Sequence, residues 1–135
     1  MAKIYKFRYA KLVRDNIPAI IVQDGAKVQK KVLSQKSYEL ELKKKLLEES
    51  SELLEAKDRT EMLSELADLE EILDNLRAAL RIGKAELKSV QAKKRLKNGS
   101  FRRRFYIDHI VADDHTDAAW LRYHLKNKKK FPLIK

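Results

Sequence analysis

Two helix-length runs in the middle of the chain, LEESSELLEA (47–56) and LSELADLEEIL (63–73), restrict the fold more than any other feature. Each combines leucines at helical spacing with acids that fall among them. At about 100° per residue, Leu42, Leu46 and Leu53 lie within about 40° of one another, with Glu49 about 20° outside them and Glu52 at the rim of the stripe. In the second run Met62, Leu66, Leu69, Leu73, Leu76 and Leu80 make one face, which Ile72 widens. Glu65 projects inside that face, between Ile72 and Leu76, and Asp68 lies beside Ala79 on its margin. Residues three apart on a helix are neighbours, so each helix is expected to turn a carboxylate pair toward the core.

The rest of the composition agrees with a helical chain. Three glycines and two prolines in 135 residues supply too little turn material for a β-sandwich or barrel. An apolar content of 44% excludes disorder, while 38% charged residues implies long solvated helix faces. The expected fold is an all-α helical bundle with minor short β segments, in a single domain over residues 1–135. Cysteine is absent, which removes disulfides and thiolate metal sites and is compatible with a cytoplasmic location. No apolar run is long enough for a membrane span, and MAKIYKFRYAK lacks the apolar centre of a signal peptide.

Along the chain, residues 2–10 read as an extended lead-in. Asp15 or Asn16 can cap a first helix that accepts Pro18 in its first turn and ends at Gly25. Residues 26–33 look extended, with Val28 and Val32 or Leu33 inward. Ser34 caps the first acidic helix, about 35–57. DRT at 58–60 carries the cap of the second, which runs to Ile82 before Gly83. So short a connection makes the two acidic helices antiparallel neighbours. A third helix, about 84–97, has Leu87, Val90 and Leu96 on one side and lysines on the other, and Asn98-Gly99 stops it. FRRRFYIDHIVA has β-like composition, with Phe105, Ile107 and His109 on one face. A last helix starts near a Thr116 cap and buries Trp120, Leu121 and Leu125.

Carboxylates brought together in a core cannot all stay ionised unpartnered, since desolvation and mutual repulsion both oppose the charge. Four oxygen ligands from two facing helices, with positions left for water and phosphate, describe a magnesium site. The competing reading, acids on solvated helix faces, is the ordinary one for a single ExxE or ExxD and stays open for two pairs, although their turn toward leucine stripes weighs against it. His109, His115 and His124 with Asp113 and Asp114 match no trusted ligand spacing.

KLVRDNIPAII at 11–21, EESSE at 48–52 and ELAD at 65–68 together resemble the MazG-like all-α nucleoside triphosphate pyrophosphohydrolase superfamily. The similarity is greatest to the branch described as phosphoribosyl-ATP pyrophosphohydrolase-like, whose members open with a KLVRDKIP-type segment. The EExxE and ExxD parts are intact, with twelve residues between them. The resemblance covers about residues 9–106; NGSF at 98–101 departs from an expected GGF, and the tail 107–135 is a basic extension outside it. The resemblance implies a helical bundle assembled as a homodimer or homotetramer. It also implies Mg²⁺-dependent cleavage, with Mn²⁺ as a substitute, between the α- and β-phosphates of a nucleotide substrate. The implied metal ligands are Glu49, Glu52, Glu65 and Asp68, with Glu48 beside Glu49 as a catalytic partner that holds a water or supports a ligand. Cationic side chains should complete such a site. Lys11 and Arg14, a basic pair before a capped helix, are the first candidates for phosphate, followed by Lys93, Lys94, Arg102 and Arg103.

Charge placement supports a rival. Residues 1–80 hold 15 basic and 15 acidic side chains, whereas 81–135 hold 16 and 5, so the net +11 resides in the second part. With Phe101, Phe105, Tyr106, Trp120 and Tyr123 interleaved, that part also reads as a nucleic-acid-binding module. Such a module leaves the inward acids without a role.

Overall fold

The structure, a computed structural model, describes residues 2–135 and contains five helices and no strand among them. These are α1 (Ile17–Gln23), α2 (Gln35–Glu55), α3 (Arg59–Ala79), α4 (Lys84–Asn98) and α5 (Ala118–Lys126). The all-α expectation holds, and the short β segments do not form: 26–33 and 101–112 are extended or turning chain without a ladder. Alternating apolar residues favour a strand only when a partner strand and a covered face are supplied, and here neither is. The chain divides into two compact units, Met1–Leu96 and Lys97–Lys135.

In the first unit the organising element is the antiparallel pair α2 and α3, each 21 residues and so about 31 Å long. Local chemistry sets their ends. Ser34 Oγ accepts from the Ser37 amide at 3.3 Å. Asp58 Oδ1 accepts from the Glu61 amide at 2.8 Å, while Glu61 Oε2 accepts from the Lys57 amide at 2.9 Å, a reciprocal arrangement close to a capping box. The Gln35 side chain, at the start of α2, donates to the Ala79 carbonyl at the end of α3, 2.9 Å away. That bond satisfies an orphan carbonyl and fixes the antiparallel register.

Helix α3 stops three residues before the expected Ile82. Ile82 donates to the Arg77 carbonyl and Arg81 to that of Ala78, both at 3.0 Å, with Arg81 at φ 57°. This is the Schellman ending, usually made with glycine, so the arginine occupies the left-handed position that the sequence suggested for Gly83. At α1 the same motif uses Gly25, φ 97°, as expected.

Between α2 and α3, Leu42 (4% exposed), Glu49 (7%) and Ile72 (8%) are buried. On α3 the covered line runs through Glu65, Asp68, Leu69, Ile72, Leu76 and Ala79. Ile72 therefore lies at its centre rather than at its edge. Met62, Leu66, Leu73 and Leu80, read from the sequence as core, are exposed instead. The helix is rotated so that Glu65, Asp68 and Ile72 are covered together with Leu69 and Leu76, and the other side of its leucine row is left open. Leu12, Val13, Ile17 and Pro18 are half-buried. Val28 and Leu33 are half-covered and Val32 is fully exposed; Leu87, Val90 and Leu96 of α4 are exposed as well.

In the second unit, Asp117 rather than Thr116 caps α5, accepting from the Trp120 amide at 2.8 Å. The Thr116 hydroxyl instead accepts from the Asp113 amide. Trp120 and Leu121 are half-buried, whereas Leu125 is exposed, contrary to the stripe read from sequence. Phe105, Ile107 and His109 are also exposed. His124 stacks on Trp120 at 3.7 Å between centroids and lies 4.3 Å from the Phe131 ring.

Candidate metal centre

One oxygen each from Glu49, Glu65 and Asp68 come within 4.8 Å of one another between α2 and α3. Among the described residues this is the one group of three or more potential ligands; the histidines join no such group. Glu49 projects inward because it follows Leu42 by seven residues, two turns along the same face. Glu65 and Asp68 sit one turn apart on the covered line of α3. Glu49 Oε2 and Glu65 Oε2 are buried and have no hydrogen-bond partner among the described residues.

Two such orphaned carboxylate oxygens are costly unless a cation or proton partners them. The donor set fits a hard divalent cation, which takes carboxylate oxygen. Glu52, the fourth expected ligand, lies at the rim. With Glu55, Ala56, Glu61 and Glu65 it lines an open cleft of about 200 Å³ at the end of the pair where α2 turns into α3.

The electrostatics follow the crowding. Glu49 is pushed above its ordinary 4.5, first by burial and then by contact with the Glu65 carboxylate; Asp68 adds to this, while Glu52 and Lys45 oppose it. Glu52 is raised chiefly by its contact with Glu49. Glu48 is lowered, first by Lys11, against burial and with help from Lys45. Lys11 is correspondingly raised by Glu48. The acids thus separate into Glu49 and Glu52, whose carboxyls are raised by burial and mutual contact, and Glu48, whose carboxyl is lowered by its lysine partners.

Basic residues close over this group from outside the helical pair. Lys11 Nζ donates to Glu48 Oε1 at 3.0 Å, and Arg14 Nη2 donates to Asp68 Oδ1 at 2.6 Å. The KLVRD segment therefore lies against the acids as a strap, and both its cations are ion-paired. Lys45 reaches Glu48 Oε2 at 3.2 Å and Glu49 Oε1 at 3.6 Å. Sequence reasoning passed over Lys45, although its spacing of three and four residues from those glutamates carried the signal. Lys93 and Lys94 are exposed on α4 without an ion pair to the acids. Arg102 and Arg103 belong to the second unit, where the Arg103 guanidinium stands 4.6 Å over the Phe105 ring.

No helix among the described residues is long and apolar enough to cross a membrane. No protein-family model matches the chain, and comparison with curated proteins and with solved structures gave no match.

Proposed function

We propose that this chain is a Mg²⁺-dependent nucleotide pyrophosphohydrolase of the MazG-like all-α type, cleaving the α–β phosphoanhydride of a nucleoside triphosphate or related nucleotide to a monophosphate and pyrophosphate. The observation that carries the reading is the meeting of Glu49, Glu65 and Asp68 with two buried, unpartnered carboxylate oxygens. The KLVRD strap over the same acids is the second support, since the resemblance rests on that segment together with EESSE and ELAD. Glu49, Glu65 and Asp68 would hold the cation, with Glu52 at the open rim. When bound, a divalent ion neutralises charge on the phosphoryl group and makes a coordinated water more acidic.

The chain's own residues do the rest. Glu48, whose carboxyl is lowered by Lys11 and Lys45, would orient or accept a proton from an attacking water. Lys11 and Arg14, each about half exposed, would supply phosphate-binding charge. The rim between Glu52 and Glu61 leaves an entrance about 200 Å³ in volume. Exposed Met62, Leu66 and Leu73 supply the apolar surface for a homodimer or homotetramer, and the absence of cysteine accords with a cytoplasmic setting.

Incubation of purified protein with natural and damaged nucleotides and Mg²⁺ should release pyrophosphate and a monophosphate in one step. Release of orthophosphate with a diphosphate would exclude this reaction class. A second reading, nucleic-acid binding by the basic part 81–135, draws on exposed Phe101, Phe105 and Tyr106 beside the exposed Arg102, Arg103 and Arg104. It requires association that weakens steeply with salt.

A further inference from the structure

Resting on that reading of the site, we propose that Lys11 and Arg14 are exchangeable counter-ions. They neutralise Glu48 and Asp68 while the site lacks a metal, and they pass to the phosphates of the incoming ligand when a divalent cation takes their place.

The geometry makes the two occupancies competitive. Asp68 belongs to the acidic triad, yet its Oδ1 already accepts from Arg14 at 2.6 Å. A carboxylate engaged so closely by a guanidinium has less charge to offer a second cation, and a divalent ion at the triad repels the guanidinium in turn. Five acids (Glu48, Glu49, Glu52, Glu65 and Asp68) face three cations: Lys11, Arg14 and Lys45. Lys45 is fixed on α2, one turn from the glutamates it meets, so it stays in place. Lys11 and Arg14 stand on non-helical chain and keep roughly half their side-chain surface in solvent. They can leave an acid without disturbing the core.

The backbone favours local rearrangement. Ala10, directly before Lys11, holds φ 48°, a left-handed conformation that costs a residue with a Cβ about 1 kcal/mol or more. Leu12 and Val13 are half-buried between the two cations. The apolar residues pin the strap, while the charged ones at either side remain free to turn. A phosphate chain offers both cations stronger partners than exposed ion pairs, because charge-assisted bonds to phosphate are short and, for arginine, bidentate.

The test uses the full chain and two probes, Mn²⁺ alone and inorganic pyrophosphate. Free Mn²⁺ is followed by electron paramagnetic resonance, and pyrophosphate binding to the Mn²⁺-saturated protein by calorimetry. Arg14→Gln should bind Mn²⁺ up to about fivefold more tightly than wild type, the scale of an exposed ion pair. The same variant should bind pyrophosphate about tenfold more weakly. Arg14→Lys should recover much of both, and Lys11→Gln should show the pyrophosphate loss with a smaller Mn²⁺ effect, because Glu48 lies outside the triad. Wild-type binding of Mn²⁺ with no tightening in Arg14→Gln, or with unchanged pyrophosphate affinity, overturns the exchange and leaves the metal site standing. Failure of the wild-type protein to bind Mn²⁺ overturns the metal site and the exchange together.

Discussion

Arg14 and Asp68, 54 positions apart in the chain, meet through a hydrogen bond of 2.6 Å. That contact joins the segment ahead of α1 to the middle of α3, and with Lys11–Glu48 it makes the strap and the helical pair one site. Each pair alone is too exposed to add much stability; measured pairs of this kind contribute about 1 kcal/mol or less. Their importance is positional: they bring cations to where negative charge is concentrated and partly desolvated.

Glu49→Gln replaces the most buried acid by a neutral isostere. In the metal-free protein this removes repulsion with Glu65 and Asp68, so thermal stability should hold or rise, by roughly 1 kcal/mol or about 3 °C. Metal-dependent stabilisation and nucleotide hydrolysis should both be lost. Calorimetric unfolding with and without Mg²⁺ checks the first two, and a variant that turns over nucleotide at the wild-type rate removes Glu49 from the site.

The same residue sets a pH dependence. Its folded-state pKa lies above its ordinary value of 4.5, so the folded state binds more protons than the unfolded chain between those values. Stability must therefore fall as pH rises from about 4.5 through the raised value of Glu49. Glu48, whose pKa is lowered, acts oppositely: its contribution is present above 4.5 and fades as pH drops through its folded value. Subtracting the melting profile of Glu49→Gln from that of wild type isolates the first effect. The fall of that difference with pH should flatten or reverse when Mg²⁺ is added, since a bound cation stabilises the ionised form in wild type alone.

How much of this was legible beforehand can be judged from particular residues. Caps at Ser34 and Asp58, the ending at Gly25 and the inward turn of Glu49 and Glu65 depend on neighbours within four positions, and the sequence displays those directly. The rotation that leaves Met62, Leu66 and Leu73 open does not, because periodicity defines a stripe but not which part of it a partner covers. Likewise Arg81 ends α3 in place of Gly83, although residue preference at the left-handed position favours the glycine. The pairing of Arg14 with Asp68 is a long-range relation that no local rule contains.

Asp58 tests the hinge between the acidic helices. It accepts from the Glu61 amide at the first turn of α3, and Asp58→Ala should cost about 1 kcal/mol. Because the cap lies outside the triad, Mn²⁺ affinity of the folded variant should match wild type. A large loss of metal binding with no loss of stability would show that Asp58 acts as a ligand.

The open leucines predict assembly. Met62, Leu66 and Leu73 are each 41–49% exposed along one side of α3, and Leu47 and Leu54 of α2 are 74% and 87% exposed. Rows of apolar side chains at helical spacing are unfavourable in water and pack readily against a second copy. Light scattering at micromolar concentration should give a dimeric or larger mass, and Leu66→Glu with Leu73→Glu should reduce it to that of a single chain. A concentration-independent single-chain mass for wild type would refute the prediction.

The final prediction concerns the second unit, whose order rests on aromatic stacking. His124 lies between Trp120 at 3.7 Å and Phe131 at 4.3 Å, and Tyr123 meets Phe131 at 5.9 Å. His124 Nδ1 donates to the Trp120 carbonyl at 2.9 Å, which holds the imidazole plane against the indole. The Phe131 amide bonds the Asn127 carbonyl at 2.8 Å and returns the chain onto the helix. Each aromatic pair contributes about 0.5–1.5 kcal/mol beyond its buried area, so Phe131→Ala should loosen the cluster. Trp120 is the chain's one tryptophan, which makes its fluorescence a direct report. In Phe131→Ala its emission should move to longer wavelength and become more accessible to acrylamide. Mg²⁺-dependent stabilisation should persist, because the acids of the metal centre all lie between residues 48 and 68. Unchanged emission and quenching would mean that the stack does not order this unit in solution.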